Sequence, residues 1–148
     1  MPAYPGHRYY GSGLRYVFLT QIEPPVDGES VMPGINVLHG LIAEALVSGP
    51  GSLGPDEVKC LRTYLGKTPE ELGQVLKADV RGVERGSLSL SERESLALRQ
   101  LVFKNLGMEP PPRQKLLELC NTLRLEGRHI RIAGTDETSY RILPQDAL

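Results

Sequence analysis

The sequence predicts a mainly α-helical chain of α+β character, with helices through the middle and short strands near both ends. Three observations carry this expectation. Helix-start signals recur at "GPDEV", "TPEE" and "SERE", each putting a turn or capping residue ahead of acids that suit the positive helix end. Apolar residues behind each start fall at helical spacing. Toward the ends, "LRYVFLT", "HIRIA" and "SYRIL" instead mix aromatic and β-branched residues or alternate, as strands do.

Taken in order, "LRYVFLT" (14–20) reads as a strand, and the prolines, glycine and acids of "QIEPPVDGES" mark an irregular connection. "INVLHGLIAEALV" (35–47) sets Ile35, Leu38, Leu41, Ile42, Ala45 and Leu46 on one helical face, with Asn36 near the start. Glycine and proline alternate in "SGPGSLGP", which ends that helix and forms the clearest hinge. The expected division is a strand-plus-helix appendage over 1–50, a central domain over 51–108, and a C-terminal helix and β-hairpin over 109–148 that could serve dimerisation.

The central segment is the most legible. Pro55 suits a first helical turn, where its missing N–H is no loss, and Asp56 and Glu57 favour that helix end. Val58, Leu61 and Leu65 make the apolar stripe, and Gly66 is placed to stop the helix. Thr68, Pro69 and Glu71 then form a capping box with proline at the first position. Leu72, Val75 and Leu76 are the expected buried face, with Gly73 beside them. Asp79 caps a third helix, "VRGVER", after a joint of only Lys77 and Ala78. So short a joint makes the two helices cross steeply, as in a helix-turn-helix. Gly82 and Gly86 each cost about 1 kcal/mol relative to alanine inside a helix, which predicts a loose third helix.

Ser91 and Glu94 repeat the capping box ahead of Leu96, Leu98, Leu101 and Val102. After "GMEPPPR", the helix "QKLLELCNTLRLE" should bury Leu116, Leu117, Leu119, Cys120 and Leu123. "HIRIA" and "SYRIL" flank "GTDET" as a β-hairpin.

Composition narrows the function classes. At 148 residues with 17 basic and 18 acidic side chains, the chain has no global field to draw it to a polyanion or a membrane surface. No apolar run is long enough to span a bilayer, and the N-terminus lacks the order of a signal peptide, so a cytoplasmic location is expected. Cys60 and Cys120 stand far apart in apolar helical patterns, reading as reduced core thiols and not as zinc ligands. His7, His39 and His129 sit on separate elements. The serines of "GSLSLSERE" lack a nucleophile-elbow context, and "YYGSGLR" leads into a strand without the G-K-[ST] of a phosphate loop. No catalytic constellation, cofactor or metal site is expected.

The order of helices resembles that of Cro/CI-like (XRE-type) DNA-binding domains. The closest similarity is to MqsA-type antitoxins and transcriptional regulators, carried by "LGPDEVKCLRTYLGKTPEELGQVL". There Leu61-Arg62, Leu65-Gly66, Thr68, Glu70-Glu71-Leu72 and Val75-Leu76 sit at motif positions. Upstream, "HRYYGSGLRYVFLTQIE" and "INVLHGLIAEALV" look like the zinc-free N-terminal segment of some members. The resemblance spans residues 7–104. Pro69 stands where the family has a phosphate-contacting glutamine, Lys77 where it has glycine, and "VRGVERGS" where it has "xxTVSxWE".

The resemblance implies a five-helix Cro/CI-like domain whose third helix enters the major groove. Val80 would then touch a thymine methyl, Arg81 would pair with a guanine edge, and Glu84 would accept from cytosine. Asp79 heads that helix, Gly82 would allow close approach to the DNA, and Arg85, Lys77, Lys67 and the helix start at Thr68 would meet phosphate. Residues 53–105 carry nine basic and eight acidic side chains, so one domain binds weakly and a homodimer on a pseudo-palindromic duplex is expected. The expected function is a DNA-binding repressor. The alternative is an antitoxin-like module that binds a toxin protein, with DNA contact secondary or lost.

Overall fold

A computed structural model of the chain describes residues 7–8, 12–14, 16–20, 35–122, 130–133 and 141–142. The described residues are mainly helical, with a small sheet. The elements run β1 (His7–Arg8), β2 (Val17–Thr20), α1 (Ile35–Ser48), α2 (Pro55–Leu65), α3 (Pro69–Leu76), α4 (Val80–Glu84), α5 (Glu92–Asn105), α6 (Arg113–Asn121), β3 (Ile130–Ala133) and β4 (Arg141–Ile142). The expected turn "GTDET", Leu123 and His129 lie outside the described residues. Among the described residues, no helix is long and apolar enough to cross a membrane.

Chain contacts form two compact units: residues 1–42 with 127–148, and residues 43–126. The grouping differs from the three consecutive pieces expected from sequence. The C-terminal segment is shared out: α6 packs on α5 in the second unit, and the C-terminal strands join the N-terminal ones in the first.

The first unit holds a four-stranded sheet in the order β1-β2-β3-β4. β1 and β2 are antiparallel, with His7 opposite Leu19. β2 and β3 are parallel, in the register Val17–Ile130 to Thr20–Ala133. β3 and β4 are antiparallel, as the hairpin reading expected, with Ile132 opposite Ile142. The central pair is rich in buried apolar residues: Val17, Phe18 and Leu19 on β2, and Ile130, Ile132 and Ala133 on β3. The parallel pairing was not legible in the sequence.

The second unit is built on helices whose ends are set by local sequence. Glu57 reaches back to accept from the Gly54 N–H at 2.8 Å, heading α2. Thr68 Oγ1 accepts from the Glu71 N–H at 3.1 Å while Glu71 accepts from the Thr68 N–H at 2.9 Å. Ser91 and Glu94 repeat that exchange at 3.1 and 2.8 Å, heading α5. Four helices close with paired backbone bonds that return into the last turn, ending α2 at Gly66, α3 at Lys77, α4 at Gly86 and α5 at Gly107. Each of those residues has positive φ, and only Lys77 among them carries a side chain.

The core of this unit gathers Val58 and Leu61, Leu72 and Leu76, Val80 and Val83, Leu96, Leu98, Val102 and Phe103, and Leu116. Burial of each such leucine is worth roughly 1.5–3 kcal/mol relative to exposure. Six expected core positions differ: Val75 is 52% exposed, and Leu65, Leu101, Leu117, Leu119 and Cys120 are half-buried, which leaves Leu116 as the buried residue of α6. Arg99, unremarked in the sequence, is fully buried. Its guanidinium donates to the carbonyls of Val47 at 2.9 Å and Gly49 at 2.8 Å, and to Gly51. It thereby binds the last turn of α1 and the loop after it.

Cys60 is buried and Cys120 half-buried, and both are free thiols. Burial, aided by Glu57, pushes the Cys60 thiol up to about 12, so it stays protonated. The Cys120 thiol lies 3.5 Å from the Ser95 hydroxyl.

Candidate nucleic-acid interface

The α3–α4 joint is a product of small residues. The Ala78 carbonyl passes so close to Gly73 that a Cβ there would lie 2.7 Å from it, inside any real contact. Lys77 takes the left-handed conformation at φ 55 that lets the chain turn between the helices. The Asp79 carboxylate then caps α4 by accepting from the Gly82 N–H at 3.0 Å. Pro69, Glu70, Gly73, Gln74 and Arg81 are among the walls of an open groove of about 350 Å³ between α3 and α4.

α4 is held from behind by an ion pair. Arg62 of α2 meets Glu84 with both ends of its fork, at 2.6 and 3.1 Å, and also donates to the Lys67 carbonyl at 3.0 Å. Hydrogen bonding to Glu84 holds the Arg62 guanidinium above its ordinary value. Both side chains are largely shielded from water, which makes the pair stronger than a surface one.

Two expected base contacts, Val80 and Glu84, are therefore turned inward, and the close approach expected at Gly82 is blocked. Val80 is 1% exposed and packs in the core, so it cannot reach a thymine methyl. Glu84 is engaged with Arg62, which holds its carboxylate toward α2. Gly82 does lie on the outer side of α4, yet it is buried: a Cβ on it would meet Leu88 at 2.6 Å and the Asp79 carboxylate at 2.8 Å. The space expected for DNA is filled by this chain. The expected looseness of the third helix also changes, because Gly86 lies past the helix end at φ 82, where glycine is favoured.

The remaining candidates stand in the open. Thr68, Lys77, Asp79, Arg81 and Arg85 are exposed, and Lys67 is half-exposed. Arg81 forms an exposed ion pair with Glu70, a contact the sequence gave no sign of. That hydrogen bond is the main reason the Glu70 carboxyl lies below the usual carboxylate range. Glu71 is lowered too, chiefly by the Thr68 backbone N–H and then by the Thr68 hydroxyl.

Comparison with protein-family models, with curated proteins and with solved structures found no match. The functional reading rests on the surface itself. Its acids are occupied: Glu71 and Asp79 by helix caps, Glu70 by Arg81. Among the described residues, no carboxylate pairs with Lys67, Lys77 or Arg85. Also among the described residues, no cluster of three or more His, Cys, Asp or Glu side chains could hold a metal ion.

Proposed function

We propose that the chain is a DNA-binding transcriptional regulator, a repressor acting as a homodimer, with α2 to α6 as a Cro/CI-like helix-turn-helix domain. One observation carries the reading. Lys77 in the tight α3–α4 joint, Lys67 just before α3 and Arg85 just after α4 are cations that, among the described residues, have no ion-pair partner, while Glu70, Glu71 and Asp79 nearby are engaged. That arrangement attracts phosphate locally in a chain whose net charge is only −1. Arg81 is the base-reading candidate, because it is the exposed residue within α4. A homodimer would present two such surfaces to one duplex, and among the described residues β1 and β4 are the outer strands of the sheet, the candidates for pairing between copies.

The test is a salt-titrated binding assay on DNA immediately upstream of the chain's own gene. A preferred duplex whose affinity falls steeply with salt is expected. Equal, weak binding to every duplex would overturn the reading. A specific observation favours a second one, an antitoxin-like module that binds a toxin protein. α4 has five residues, three of them buried, so it is about 7.5 Å long and covers little of a groove. Absence of any preferred duplex would shift the balance to that partner class.

A further inference from the structure

Helix geometry turns about 100° per residue, which places Arg81, Gly82 and Arg85 on one side of α4 and the buried Val80 and Val83 on the other. Gly82 has no side chain to present there. The chain fills the position from outside. Beyond Gly86 it folds back so that the Ser87 and Leu88 N–H groups both donate to the Gly82 carbonyl, at 3.0 and 3.2 Å, and the Ser87 hydroxyl donates to it at 3.0 Å. This seats the Leu88 side chain where a Cβ of residue 82 would be. Leu88 is nonetheless 49% exposed. It is thus an apolar group displayed over Gly82, beside the Asp79 carboxylate and on the side of α4 that also carries Arg81 and Arg85, in a loop anchored by three hydrogen bonds to the Gly82 carbonyl.

We infer that Leu88, and not Val80, is the apolar base-reading residue of this surface, and that it selects the 5-methyl group of a thymine. The inference rests on the DNA-binding reading above. The neighbouring cations favour a duplex over an apolar protein partner, since Arg85 would approach phosphate and Arg81 a base edge as Leu88 enters the groove. In the major groove, the thymine methyl is the apolar feature that separates one base pair from another. Gly82 is then required for a second reason: any larger residue there would push Leu88 off its seat.

The test pairs a side-chain deletion with a methyl deletion. The full chain is titrated with the preferred upstream duplex and with copies in which single thymines are replaced by deoxyuridine, which lacks only the methyl. At one position the replacement should weaken binding about fourfold, the equivalent of ~0.8 kcal/mol for one buried methyl. Leu88→Ala should weaken binding to the thymine duplex by at least as much and show no further loss with deoxyuridine, while Leu88→Met should keep the methyl sensitivity. Equal deoxyuridine losses in Leu88→Ala and the parent chain would overturn the assignment while leaving DNA binding standing. A parent chain with no preferred duplex would overturn both.

Discussion

Arg99 carries a full charge into a place with no exposure to water, and its fork gives donors to three carbonyls at the end of α1 and in the following loop. Each buried carbonyl left without a donor costs about 1–3 kcal/mol. Arg99→Leu should therefore lower stability by at least about 3 kcal/mol, read as a shift in the urea midpoint. Arg99→Lys, with one charged nitrogen in place of the planar fork, should fall between the two. At the surface, Arg81 decides function and not stability. Arg81→Ala should cost about 1–3 kcal/mol against a preferred duplex and little against non-specific DNA. Equal losses on all sequences would reduce Arg81 to a phosphate contact. Glu70 competes for that same guanidinium, so Glu70→Gln should raise affinity for every duplex. Because the Glu70 carboxyl is lowered by Arg81, the pair is intact above the ordinary carboxylate value and is lost as pH falls through the lowered one. DNA affinity should accordingly gain an acid-side increase that Glu70→Gln lacks, measured by anisotropy across that range.

At the scale of elements, the joint between α3 and α4 is the part least tolerant of change. Gly73→Ala would raise helix propensity, yet its Cβ would press on the Ala78 backbone carbonyl. A backbone atom cannot swing aside, so a net loss of about 1–3 kcal/mol is expected in thermal or urea melts. Lys77→Gly should do the reverse. A left-handed residue with a side chain is strained by roughly 1–2 kcal/mol, so glycine should stabilise α3, while removal of the charge should weaken DNA binding. Gain in stability without loss of affinity would remove Lys77 from the interface.

The same elements explain what a reader of the sequence can and cannot see. The starts at Thr68 and Ser91 were legible because each cap closes within three residues. The inward faces of Val80 and Glu84 were not, since a five-residue helix is too short to show a period and Glu84's partner lies 22 residues upstream. The burial of Arg99 was not legible either, because its carbonyl acceptors lie 48–52 residues away. Leu88 looked like loop until the bare Gly82 beside it gave it a seat.

At the scale of the whole molecule, assembly is the open quantity. The N-terminal strand β2 and the C-terminal strand β3 use both of their edges inside one chain. Of the strands, β1 and β4 remain, each of two described residues. Light scattering at micromolar concentration should give about twice the 16.3 kDa chain mass. A charged or proline substitution at Ile142 should halve that mass if β4 forms the joint. A monomer that binds one asymmetric duplex tightly would show that two copies are not needed.

The parallel pairing of β2 with β3 also sets a clock. Val17 is partnered by Ile130, 113 residues later in the chain. At about 5–20 residues per second, a ribosome supplies that partner roughly 6–23 s after Val17 itself, before allowing for the exit tunnel. Closing so long a loop costs about 4 kcal/mol in chain entropy, whereas the caps and turns of α2 to α5 need only neighbours. Pulse-labelled hydrogen exchange during refolding should find amides of Val58 to Phe103 protected first and those of Val17 to Leu19 last. Simultaneous protection would contradict this order. On a ribosome, the apolar strand Val17–Phe18–Leu19 waits without its mate until Ile130 to Ile132 have been made, and that interval is when a chaperone has most reason to hold it.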